Sequence, residues 1–119
     1  MQLNVKERFM VMQLLPREAD ITTIKLVMEA KLKLGLTEAE LLLFEVKQIP
    51  TPQGEMTAWD DKKEDLYYAE KGMPNFDIGQ ILLKHIQDEL KKLNESKKLT
   101  ESHISLYTKV VEGGLLVIK

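Results

Sequence analysis

From Ile78 to Leu93 the apolar residues Ile78, Leu82, Ile86, Leu90 and Leu93 recur at the spacing of one helix face. A Lys97-Lys98-Leu99-Thr100 joint interrupts the pattern, and Ile104, Tyr107 and Val111 then begin a second stripe. Two stripes joined by a short polar link predict a helix pair over 78–96 and 101–112 sharing one apolar seam. Such a pair specifies packing against itself, a partner subunit or another protein. It contains no constellation of groups able to carry out chemistry.

Upstream, capping residues divide the first 44 residues into three helices. Asn4 with Glu7 opens a short, mostly buried helix carrying Val5, Phe9 and Met12, which closes at Pro16. Asp20 opens a second, with the stripe Ile21, Ile24, Val27, Met28 and Leu32, ending at Gly35. Thr37-Glu38-Ala39-Glu40 forms a capping box ahead of Leu41-Leu42-Leu43-Phe44.

The period then changes. Val46 to Ile49 and Met56 to Trp59 are strand-like and flank Pro50-Thr51-Pro52-Gln53-Gly54, which predicts a β-hairpin. Asp60 to Asp65 reads as a solvated connector, and Leu66-Tyr67-Tyr68-Ala69 as a third strand before Gly72 and Pro74. Asp77 is positioned to cap the long fourth helix, with Gly79 in its first turn. The expected fold is α+β and mainly helical: about five helices, with an antiparallel hairpin or three-stranded sheet between the third and fourth. Residues 1–112 are expected to form a single compact domain, with 113–119 a β-prone tail.

Composition narrows the function. The chain has no cysteine, which removes disulfides, thiolate metal sites and cysteine nucleophiles and fits a reducing, cytoplasmic setting. No segment approaches the roughly 18–20 apolar residues that span a bilayer. Residues 1–44 carry six basic and six acidic groups, 45–76 four and seven, and 77–119 seven and six. Without a clustered positive field, nucleic-acid binding is disfavoured. Residues 21–59 do follow the order of a winged helix, but its recognition helix would present Glu38, Glu40 and four large apolar residues to DNA.

The signatures of nucleotide enzymes, serine hydrolases and zinc hydrolases are absent from the sequence. His85 and Asp88 share a helix face, and His103 on the next helix would have to complete a cation site. Flanking histidines read better as partly solvated side chains. The acids Asp60, Asp61, Glu64 and Asp65 are diluted by Lys62 and Lys63, as in a solvated loop. No catalytic residue, metal or cofactor is expected. Trp59, Tyr67, Tyr68 and Phe76 form the best candidate binding face, against the alternative that they pack the hairpin. Leu42, Phe44 and the tail residues Leu115, Leu116, Val117 and Ile118 are the surplus apolar groups that an oligomer interface would hide.

The stretches Glu7 to Val27, ERFMVMQLLPREADITTIKLV, and Leu90 to Glu112, LKKLNESKKLTESHISLYTKVVE, resemble a group of small uncharacterised proteins encoded in bacteriophage and prophage genomes. Between them the likeness is one of layout: a short strand, a turn, a strand with Trp59, then Ile78-Gly79 opening the long helix. The segment Gly113 to Lys119 departs from that group. The resemblance implies a phage-encoded cytoplasmic protein and carries over no activity and no site residue. The expected function is noncatalytic protein–protein contact: virion part, assembly factor, or inhibitor of a host defence or regulatory protein, with itself as a partner in a homo-oligomer. A small-ligand or nucleotide pocket at a subunit interface, lined by Tyr67, Tyr68 and Trp59, is the second expectation, and a DNA-binding regulator the third.

Overall fold

Polar side chains set most of the helix starts in this protein, and a computed structural model describes residues 1–112. Asn4 Oδ1 accepts from the Glu7 amide at 2.8 Å while Glu7 Oε1 accepts from the Asn4 amide at 3.0 Å, opening α1 (Val5–Leu14). Asp20 accepts from the Thr23 amide and opens α2 (Ile21–Leu34), and a Thr37–Glu40 capping box opens α3 (Glu38–Leu43). The strands β1 (Lys47–Thr51) and β2 (Gly54–Ala58) follow, then α4 (Asp61–Lys71), α5 (Gly79–Glu95), α6 (Glu101–Tyr107) and a π-helical turn, Thr108–Glu112. The fold is α+β, with six α-helices among the described residues and a two-stranded antiparallel sheet between α3 and α4.

The chain divides into two compact units, where length alone points to one domain. The first comprises residues 1–35 and the chain from Asn75 onward. Its core is the predicted seam: Ile78, Leu82, Ile86 and Leu90 are all buried, together with Leu3, Val11, Leu15, Val27, Ala30 and Leu34. Helix α1 packs on α2, α5 and α6, and α5 packs on the π-helical turn. Backbone pairing ties the N-terminal residues to the start of the second segment: Gln2 bridges to Asn75, and the Phe76 amide donates to Met1 O at 2.8 Å.

Two registers in this unit differ from the sequence reading. In the last helix Leu106 and Val110 are buried, whereas Ile104 is 60% exposed. Apolar residues occur on either side of Leu106, so the short α6 has no single stripe by which to choose a face. In α2 the buried positions are Val27, Ala30 and Leu34, while Ile21, Met28 and Leu32 point away. The two sets lie on opposite sides of one helix, and a stripe combining Val27 with Met28 and Leu32 mixes them.

The second unit, Leu36–Pro74, contains α3, the hairpin and α4. The hairpin pairs Lys47 with Ala58 and Ile49 with Met56, and Gly54, at φ +120°, supplies the turn conformation that other residues resist. No third strand joins the sheet among the described residues. Leu66, Tyr67 and Tyr68 instead lie within α4, which is capped by Asp60 Oδ1 accepting from the Lys63 amide at 3.1 Å. The acidic stretch read as a connector is this helix's cap and first turn, where Asp61 and Glu64 meet the positive end of the helix dipole. An apolar run of four residues cannot by itself separate strand from helix.

Candidate functional site

Three of the four aromatic candidates fall in the second unit. The rings of Tyr67 and Tyr68 stand edge-on to Phe44 at 5.7 and 5.8 Å, and to each other at 6.0 Å. Phe44, expected at an oligomer interface, is fully buried and forms the centre of this cluster. It caps α3 at its C-terminal end, and enclosing its ring satisfies a large apolar payload that the leucines before it leave exposed. Trp59 donates from Nε1 to Oε1 of Glu64 at 3.1 Å, and Glu64 is only 5% exposed. Phe76 belongs to the other unit, where the buried Arg8 guanidinium sits 4.6 Å from its ring centroid in a cation–π contact.

A shallow cleft of about 260 Å³ beside Trp59 is lined by Glu45, Lys47, Ala58 and Asp60. At its edge Lys63 Nζ lies 2.8 Å from Glu45 Oε1, and this carboxylate holds the lysine above its ordinary value. Such a paired, exposed lysine is neither a poised base nor a nucleophile. The aromatic rings are thus engaged mainly with one another and with Glu64.

Six large apolar side chains of this unit face outward among its charges. Leu42 is 81% exposed, Leu66 71%, and Leu41, Leu43, Ile49 and Met56 are also exposed. Ile49 and Met56 are directly opposed across the hairpin, so they share a face. No residue of α3 is buried. The tail candidates Leu115, Leu116, Val117 and Ile118 lie outside the described residues.

On the first unit, the sequence reading missed an outward ridge on α2 formed by Ile21, Met28 and Leu32, with Lys25 between them. Its signal was present: residues 21, 28 and 32 repeat at the spacing of one face, and 27, 30 and 34 at that of another. The histidines separate. His85 Nε2 lies 3.9 Å from Glu89 Oε1, while His103 Nδ1 accepts from the Thr100 amide at 3.0 Å and caps α6. Among the described residues no three His, Cys, Asp or Glu side chains converge as a cation site would require, and no helix is long and apolar enough to cross a membrane.

No protein-family model, curated protein or solved structure matches this chain.

Proposed function

We propose that this protein acts without catalysis, through protein–protein contact made by the apolar surface of residues 36–74. One observation carries the reading. This unit encloses a single large apolar residue, Phe44, while six others, Leu41, Leu42, Leu43, Ile49, Met56 and Leu66, face outward. Exposed apolar groups gathered on so small a unit are what a partner surface provides. The resemblance to phage and prophage proteins supports a setting in the cytoplasm of an infected or lysogenic cell, as virion component, assembly factor or inhibitor of a host protein. Copies of the chain are the first partner in this reading.

Light scattering over a hundredfold dilution tests it. The full chain is expected to associate at the high end of the range, and Leu42→Glu to lower that association while keeping the helical circular dichroism signal. A Leu42→Glu chain that associates as the parent does would remove α3 from the contact surface.

A further inference from the structure

The two units carry opposite charge. Residues 36–74 hold four lysines against nine carboxylates, a formal −5, while the rest of the chain holds thirteen basic and ten acidic groups, a formal +3. Each unit also carries an exposed helix with apolar residues among charges of its own sign. On α2 the ridge is Ile21, Met28 and Leu32, exposed by 70, 62 and 85%, with Lys25 in line and Lys31 and Glu29 flanking it, while Lys33 Nζ turns to the Asp77 carbonyl at 3.3 Å. On α3, Leu42 is 81% exposed, Glu38 lies one turn before it on the same face, Glu40 is tied to the Thr37 amide, and the helix has no basic residue.

We infer that the α2 ridge of one copy receives the α3 surface of a second copy, a head-to-tail contact in which leucine and methionine side chains form the centre and lysine–glutamate pairs the rim. The inference rests on the reading that α3 is a contact surface and names what it meets. Charge complementarity selects the partner: two α2 ridges would oppose lysine to lysine, and two α3 helices glutamate to glutamate, and like charges across an interface disfavour both self-pairings. A lysine-flanked apolar ridge and a glutamate-flanked leucine helix supply both the attraction and the register. The contact is heterologous, because the two surfaces that meet are different.

Complementation of two variants tests it. Leu32→Glu breaks the ridge and Leu42→Glu breaks α3; both positions are exposed, so both chains should fold, as circular dichroism will confirm. Each variant alone should raise the dissociation constant by about tenfold or more, the usual effect of placing a charge at an interface centre. Mixed in equal amounts, the two should form a one-to-one heterodimer, because the mixture retains one intact ridge and one intact α3. Lys25→Glu, which leaves the apolar residues in place, should weaken the parent association, and added salt should weaken the parent association further.

A mixture that stays monomeric overturns the head-to-tail contact. So does a Leu32→Glu chain that associates like the parent while Leu42→Glu does not, although that result leaves the contact role of α3 standing. A parent chain that is monomeric throughout overturns the inference together with the self-association on which it rests.

Discussion

Lys109 Nζ lies 2.7 Å from Oε1 of Glu7, joining residues 102 positions apart in the chain. Glu7 is 1% exposed, and the same lysine donates to the Gln2 carbonyl at 3.0 Å, so one ammonium holds the π-helical turn to the segment leading into α1. Glu7 Oε1 also accepts from the Asn4 amide, and Oε2 has no hydrogen-bond partner among the described residues. The carboxylate is therefore enclosed with its charge answered mainly by Lys109.

Lys109→Met should destabilise the protein strongly. Removing one member of a buried pair costs about 3–5 kcal/mol, and the 34% exposure of the Lys109 side chain places the loss toward the lower end of that range. Adding Glu7→Gln should restore part of it, because glutamine keeps the α1 cap and removes the stranded charge. Urea denaturation of the two single variants and the double variant reads the coupling; simple addition of the single losses would show that the pair is not coupled.

Leu90→Ala should cost about 2–5 kcal/mol, since it removes a side chain with no exposed area from the centre of the seam. Ile104→Ala, at a site 60% exposed, should change stability by no more than about 0.5 kcal/mol. Denaturant midpoints at constant slope decide both. A Leu90 loss below about 1 kcal/mol would remove that face from the core.

Glu64→Ala should cost about 1.5–3 kcal/mol in the stability of residues 36–74, as for a hydrogen bond to a charged group. Glu64→Gln retains an acceptor for the indole and should cost less. The chain has one tryptophan, so its emission reports this bond directly: the alanine variant should shift the spectrum, and the glutamine variant should shift it less.

Asp20 supplies a pH dependence of known sign. The Thr23 side chain and amide, by hydrogen-bonding the carboxylate, hold its folded value below the ordinary 3.8. A lowered folded value means that the stabilisation is fully present above the unfolded value and is lost as pH falls through the folded one. Asp20→Asn keeps a capping oxygen without the charge. The parent should therefore exceed the variant in stability at neutral pH, and the gap should narrow below about pH 4, where the carboxyl begins to protonate. Midpoints that keep a constant difference down to acid pH would contradict this.

The elements most legible in the sequence were those with local causes. Asn4–Glu7 and Thr37–Glu40 encode their caps within four residues, the Pro-rich turn encodes the hairpin, and the α5 stripe encodes the core. What failed was decided by neighbours distant in sequence. Both sides of α2 are apolar, so periodicity does not say which side is covered, and Leu106 was displaced in the reading by the equally apolar Ile104. Asp60 carries its cap signal in a run of charges that reads equally well as a loop, which hid α4. Of the candidate binding face, Trp59, Tyr67 and Tyr68 fall within residues 36–74, while the placement of Phe76 under Arg8 depends on a contact across many residues. The Glu7–Lys109 pair has no local signature at all. Gly79 acquires its reason only from the backbone: its φ of +82° at the start of α5 is a conformation that a side chain resists.

Leu3 and Val110 occupy one core. During synthesis, therefore, the first unit cannot close until nearly the whole described chain has left the ribosome, whereas residues 36–74 have all the partners of their own hairpin and helices much earlier. The nascent chain passes through an interval in which α1 and α2 are translated but lack α5, leaving Val11, Val27 and Leu34 open to water. Open apolar chain of that kind is what chaperones and proteases act on, and closure of this core requires the segment carrying Lys109.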